Sequence, residues 1–213
     1  MEYITYYNSP VGKITIAGED ESITGLWIEG QKYYASTLPN AEEKELPVFK
    51  IVKQWLDDYF KGKNSSINFS VAPKGSDFRR DVWNILTEIP YGELTTYGKI
   101  AKQLEKKYRG KRVSAQAVGG AVGHNPISII IPCHRVVGSN GSLTGYAGGL
   151  DKKVMLLKLE GAPLEGLFVP KKGTADVYKR QGKGHEDYQI FADKTIHFDD
   201  VEEVKKAIEA ARA

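Results

Sequence analysis

Thr96-Tyr97-Gly98-Lys99-Ile100-Ala101-Lys102-Gln103-Leu104-Glu105-Lys106 and, after a short gap, Ser114-Ala115-Gln116-Ala117-Val118-Gly119-Gly120-Ala121 set the architecture of this chain. Ile100, Ala101 and Leu104 share one helical face, and Thr96 is placed to cap a helix from Tyr97 to Lys106. A basic loop from Lys106 to Arg112 follows, and then a helix start built almost entirely of small residues. Helix, basic turn and small-residue helix form a helix-turn-helix pattern. Bulky recognition helices need the wide major groove of a duplex, whereas Ala and Gly allow close approach in the narrow one. Lys99, Lys102, Lys106, Lys107, Arg109, Lys111 and Arg112 form a stripe suited to neutralising phosphates.

Downstream, Ile129-Ile130-Ile131-Pro132-Cys133-His134-Arg135-Val136-Val137 carries the only cysteine of 213 residues. An apolar run delivers a thiol to a proline-bounded turn with an imidazole beside it, and cationic neighbours favour the nucleophilic thiolate. Adjacent side chains in a straight strand point to opposite faces, so Cys133 and His134 need a turn or a bridging water to communicate. His134 is the expected base, and Arg135 is read as structural. One cysteine makes neither an internal disulfide nor a multi-thiolate zinc site, and it fits a reducing compartment, so cytoplasmic localisation is expected. No stretch approaches the roughly 20 apolar residues of a membrane span, and Met1-Glu2-Tyr3-Ile4 does not open a signal peptide.

Upstream, residues 3–28 alternate as strands around the Ser9-Pro10-Val11-Gly12 turn. Val48, Ile51, Val52, Trp55, Leu56 and Tyr59 predict a helix over Leu46 to Phe60, and Asp77 is expected to cap another over 77–88. Residues 151–160 predict a last amphipathic helix, stopped by Gly161. The fold class is α+β. Residues 1–72 are expected to form an α/β scaffold domain without chemistry of its own, and residues 73–171 a mostly helical domain holding the DNA-binding and active-site segments. Net charge is +3, but residues 1–172 hold 23 basic and 18 acidic side chains, a balance of +5.

Several segments in order resemble the alkyltransferases that repair 6-O-alkylguanine in DNA (methylated-DNA–protein-cysteine methyltransferases). They are Gly75-Ser76-Asp77-Phe78 with Val82-Trp83, Ile89-Pro90-Tyr91-Gly92, Thr96-Tyr97, Ala117-Val118-Gly119-Gly120-Ala121, Asn125-Pro126, Pro132-Cys133-His134-Arg135, Gly145-Tyr146 with Gly148-Gly149-Leu150, and Leu157 to Gly161. The resemblance implies an RNase H-like first domain and a winged helix-turn-helix-like second one. It implies a base flipped from the duplex, single-turnover transfer of the alkyl group to Cys133, a water between Cys133 and His134, and Glu160 orienting the imidazole. Tyr97 would donate a proton to the leaving purine, and Asn125 would tie the helix-turn-helix to the Cys133 turn. Pro132, Tyr146, Ala147 and Gly148 would line the pocket. Ala115, Gln116, Ala117, Gly119 and Arg112 would meet DNA, with Gln116 standing where most relatives carry an intercalating arginine. No cofactor or metal is implied. The expected partner is double-stranded DNA containing alkylated guanine, met by a monomer away from membranes. The alternative is a non-catalytic damage-binding module, against which the presence of Cys133 argues. A regulator carrying a cysteine-rich metal domain is excluded by the cysteine count, and no loop of the kind a cysteine hydrolase needs is legible.

The resemblance stops near Phe168-Val169-Pro170-Lys171. Residues 172–181 read as a linker, in which Thr174 to Gln181 is similar to a translated adapter. Residues 182–213, with Gly182-Lys183-Gly184-His185-Glu186, resemble the C-terminal end of a Mur ligase (UDP-N-acetylmuramoyl-tripeptide synthetase). The expectation is a chimeric join that leaves this appended fragment poorly docked; the alternative is a genuine fusion, which a large interface with the body would favour.

Overall fold

Alternation of apolar and polar residues folds β1 (Glu2–Ser9), β2 (Gly12–Glu19) and β3 (Ser22–Ile28) into an antiparallel meander. In this computed structural model, which describes residues 1–38, 40–170, 188–191 and 194–197, two short strands extend the meander. β4 (Ala41–Glu43) pairs in parallel with β1, and β5 (Ser70–Val71) with β3, giving the order β4-β1-β2-β3-β5. Helix α1 (Pro47–Phe60) packs on this sheet through Val48, Phe49, Val52, Leu56 and Tyr59. Here the periodicity reading needs correcting: Ile51 is 43% exposed and Phe49 is fully buried in its place. The apolar stripe is wide enough that spacing alone does not choose which of its edges faces the sheet.

The second half is helical. Ser76, and not Asp77, caps α2 (Asp77–Thr87) by accepting from the Arg79 amide. Serine in an extended conformation offers its hydroxyl to the open N–H groups, and Asp77 becomes the first helical residue instead. Thr96 caps α3 (Tyr97–Lys107) and Ser114 caps α4 (Ala115–Gly123) in the same manner. Helix α5 (Leu150–Leu159) ends with Glu160 at its C-cap and Gly161 in the left-handed region.

Two connections bring distant segments together. β6 (Thr95–Thr96) pairs in parallel with β7 (Val136–Val137), so the start of α3 lies beside the chain leaving the Cys133 turn. Leu26 in β3 bridges to Ile127, which anchors the approach to that turn on the first sheet. One apolar core runs through both halves, from Ile14, Leu26 and Phe49 to Trp83, Ile100 and Val118. Within it the Trp83 indole donates to the Ala121 carbonyl at 2.9 Å, locking α2 to α4. Further along, Tyr188–Phe191 (β8) and Lys194–His197 (β9) pair in antiparallel fashion. The expectations for the linker, for the Gly182 to Glu186 loop and for tail docking lie outside the described residues.

Replacing Trp83 by Ala is expected to cost about 3–5 kcal/mol, because it removes a fully buried ring and its hydrogen bond. The exposed Ile51→Ala is expected to cost under about 1 kcal/mol. Urea unfolding of both variants checks the pair, and equal losses would contradict the placement of α1.

Candidate active site

Cys133 opens a 3₁₀ turn, Cys133–Arg135, directly after Pro132. The turn, not an alternating strand, brings the thiol and the neighbouring imidazole into one environment, and both are buried. Ile129, just before it, has φ 70°, a left-handed conformation that a β-branched residue adopts only under constraint. The constraint is visible: Ile131 N–H bonds the Ile127 carbonyl at 3.0 Å and Cys133 N–H bonds the Ile131 carbonyl at 2.8 Å. Asn125 holds the other side. Its side-chain amide donates to the Ile131 carbonyl at 2.8 Å and to Cys133 Sγ at 3.1 Å, while its oxygen accepts from Ile127 N–H at 3.0 Å. Asn125 lies just past the end of α4, so the thiol is fixed relative to that helix.

Behind the thiol stands Glu160. Its Oε1 accepts from His134 Nε2 at 2.7 Å, Arg135 Nη2 at 2.9 Å and the Tyr59 hydroxyl at 2.7 Å. Its Oε2 accepts from Arg135 Nε at 2.7 Å and Gly92 N–H at 3.2 Å. Arg135, expected from the sequence to be structural, also donates to the Ile89 carbonyl at 2.6 Å. Gly92 has φ 77°, and a Cβ there would lie 2.7 Å from the Glu160 carbonyl oxygen, so no other residue fits this clamp.

Burial dominates the electrostatics. It pushes the Cys133 thiol up, against the pull of the Asn125 amide, and pushes the His134 imidazole down, against the pull of Glu160. Burial also opposes ionisation of Glu160, yet donation from His134 and Arg135 holds that carboxyl well below the usual range. The result is an ionised Glu160 beside a neutral imidazole and a neutral thiol. Because a carboxylate only accepts, neutral His134 carries its proton on Nε2, leaving Nδ1 as the acceptor. Nδ1 and the Tyr146 hydroxyl are buried atoms without a hydrogen-bond partner, and the two rings meet edge to face at 6.4 Å.

Tyr97 opens α3 and donates to the Thr144 carbonyl at 3.0 Å. Gly145, the next residue, has φ 73°, and a Cβ there would come within 2.9 Å of the Tyr97 hydroxyl. Lys153, which sequence reading did not single out, reaches the same carbonyl at 3.1 Å and the Val136 carbonyl at 2.6 Å. It is fully buried, and burial lowers its pKa to about 8. Sequence offers no signal for it, since a lysine on an amphipathic helix ordinarily reads as solvated. Ala147 accepts from Lys32 N–H at 2.8 Å, and Gly148 packs on the Tyr146 ring. On α4, Ala115, Gln116 and Ala117 are exposed, as is Arg112 before them, and a side chain at Gly119 would meet the Tyr97 ring at 3.8 Å. Among the described residues, no three His, Cys, Asp or Glu side chains gather as metal ligands, and no helix is long and apolar enough to cross a membrane.

Two family models match the chain. That of the 6-O-methylguanine DNA methyltransferase ribonuclease-like domain matches residues 3–73, and that of the corresponding DNA binding domain matches residues 77–162. A methylated-DNA–protein-cysteine methyltransferase of Methanosarcina acetivorans is 44% identical over 161 residues, covering 75% of this chain and 99% of that protein. The chain belongs to this family. A Haemophilus influenzae member is 44% identical over 165 residues, covering 76% of this chain and 87% of its own. Among solved structures, Mycobacterium tuberculosis OGT in complex with DNA is 39% identical with a TM-score of 0.66, covering 76% of this chain and 95% of its own. The ribonuclease-like domain followed by a helix-turn-helix-like one is the architecture expected from sequence.

The depressed carboxyl gives a signed pH dependence. Glu160 contributes stability that is complete above its ordinary value of 4.5 and is lost as the pH falls toward its lower folded value. Glu160→Gln leaves buried Arg135 without its counter-charge, so it is expected to cost about 3–5 kcal/mol at neutral pH. The gap to the parent protein should narrow on acidification below about pH 4.5. Denaturant unfolding across that range checks this, and a gap independent of pH would contradict it.

Proposed function

We propose that this chain repairs DNA by moving the alkyl group of a 6-O-alkylguanine irreversibly onto Cys133. The carrying observation is the arrangement behind the thiol: Cys133 held by Asn125, with His134 fixed by Glu160 and its Nδ1 left as acceptor. The alkylated guanine is stacked inside a duplex, so it must be flipped out to meet sulfur. Exposed Ala115, Gln116 and Ala117, with Gly119 behind them, suit close approach to the minor groove. Gln116 fills the space left by the flipped base, and Arg112 with the other basic side chains of the loop engages phosphate. The solved relative bound to DNA supports a double-stranded DNA partner.

In the reaction, Cys133 sulfur attacks the alkyl carbon in line with the departing oxygen. The S–C bond forms as the C–O bond breaks, and the electron pair leaves with the purine. The thiol proton passes to His134 Nδ1, through one water, and the imidazolium is stabilised by Glu160. Tyr97 gives its proton to the purine, and the phenolate is reprotonated through water by the proton held on His134, so that the net change is a proton moved from sulfur to guanine and the imidazole ends neutral. Pro132, Tyr146, Ala147 and Gly148 form the pocket around the base, and the Thr144 carbonyl, held by Lys153, sets where Tyr97 points. With no second thiol to remove the alkyl group, each molecule reacts once.

The chain acts as a monomer in the cytoplasm and needs no cofactor. Residues 1–72 carry the scaffold and residues 73–171 the reaction. Residues 172–181 join them to a fragment, 182–213, of foreign origin; its support is the Gly182-Lys183-Gly184-His185-Glu186 resemblance alone. The damage-binding alternative gains no support, because it leaves the buried relay behind Cys133 without a purpose.

Incubation with duplex DNA carrying one 6-O-methylguanine should add one methyl to the peptide containing Cys133, with matching loss of the lesion. Mass spectrometry reads both. Binding with no methyl on Cys133 would contradict the proposal and favour the damage-binding module.

A further inference from the structure

The first domain was expected to be scaffold only, yet its last helical turn reaches the relay. Tyr59 is 2% exposed and its ring is held on three sides: stacked on Trp55 at 5.3 Å, and edge to face with Phe60 at 5.3 Å and Tyr91 at 6.2 Å. With the ring so confined, the hydroxyl has one direction, and it donates to Glu160 Oε1 at 2.7 Å. That oxygen is the one that accepts the hydrogen bond from His134 Nε2–H. We propose that Tyr59 is a positioning residue of the His134–Glu160 pair, fixing the carboxylate against the imidazole and limiting how readily the imidazole takes a proton. This rests on the reading of His134 as the thiol's proton acceptor.

Glu160 Oε1 accepts from three donors, Tyr59, His134 and Arg135. Each hydrogen bond that Oε1 accepts draws negative charge toward that donor and away from the others. Tyr59 also points the positive end of its O–H dipole toward the imidazole side of the carboxylate. Both effects make an imidazolium at 134 less favourable than Glu160 alone would. The phenol stays a donor throughout, because burial and the neighbouring carboxylate push its own ionisation far up. The other groups facing the pair are Arg135 on the same turn, which disfavours imidazolium, and Lys153 from α5, which does likewise. Cys133, the Tyr146 ring and Tyr91 complete the surroundings. None of these substitutes for Tyr59, since Arg135 is engaged with both carboxylate oxygens and Lys153 with two carbonyls. An imidazole kept neutral is ready to accept; one protonated in advance is not.

The test is the pH profile of single-turnover methyl transfer in the full chain, with parent, Tyr59→Phe and Glu160→Gln measured together. Tyr59→Phe keeps the ring and removes one donor. Its acid limb should move to higher pH by about half a unit or more, as a one-unit shift corresponds to a tenfold change in the protonation equilibrium. A ring-fluorinated tyrosine at position 59, a stronger donor of nearly the same shape, should move that limb the opposite way. Glu160→Gln should move it to lower pH, because the imidazolium loses its counter-charge. If Glu160→Gln moves the limb but neither change at 59 does, Tyr59 is only a packing contact and the inference fails alone. If Glu160→Gln also leaves the profile unchanged, the relay reading fails and takes the inference with it. A Tyr59→Phe protein that merely melts earlier, with a superimposable profile, counts as failure.

Discussion

Glu160 carries a buried negative charge, and the rest of the site is organised around making that charge tolerable. A carboxylate removed from water costs several kcal/mol unless its lone pairs are filled. Five donors from four residues fill them: Tyr59 from α1, the Gly92 amide, His134 and both ends of the Arg135 fork. Satisfying this one group therefore fixes the end of α5, the turn after α2, the Cys133 turn and the last turn of the first domain's helix. These contacts join the same two halves that share the larger apolar core. The two could not slide past each other without stripping a donor from a buried charge.

The same dryness that makes Glu160 demanding keeps the nucleophile quiet. Burial disfavours both the Cys133 thiolate and the His134 imidazolium, and it lowers the Lys153 pKa to about 8. A protein that can react only once gains from a thiol that resists adventitious alkylation. In the proposed reaction the thiol proton passes to His134 as substrate arrives, and the Nε2–Glu160 hydrogen bond leaves Nδ1 as the acceptor for it. Strain contributes too: left-handed Ile129 and the Asn125 clamp hold the thiol at the start of its turn against the preference of the backbone.

Much of this was legible in the sequence, for identifiable reasons. The cap at Thr96, helical spacing in α2 and α3, and the small residues that start α4 are local features, and local physics decides them. Cys133 stands out because the chain has no other, and His134 because it adjoins it. Glu160 came only through resemblance, since its partners lie 25 residues or more away in sequence. Tyr59 and Lys153 were not legible at all. One is a tyrosine among 12, on a helix whose apolar face already accounts for it. The other looks like a surface lysine until tertiary structure buries it under the Val136 and Thr144 carbonyls. The exchange of Phe49 for Ile51 and of Ser76 for Asp77 has a similar origin: neighbouring residues competed for one role, and packing or cap geometry chose between them.

Through its hydrogen bond to Nε2, Glu160 dictates where the proton of His134 resides. Nitrogen-15 chemical shifts and long-range proton–nitrogen couplings of the His134 ring, in the DNA-free protein at neutral pH, read this directly. The expected result is a neutral ring with its proton on Nε2, facing Glu160, and a bare Nδ1. A proton found on Nδ1, or a ring already doubly protonated, would contradict it, because His134 could then not accept the thiol proton.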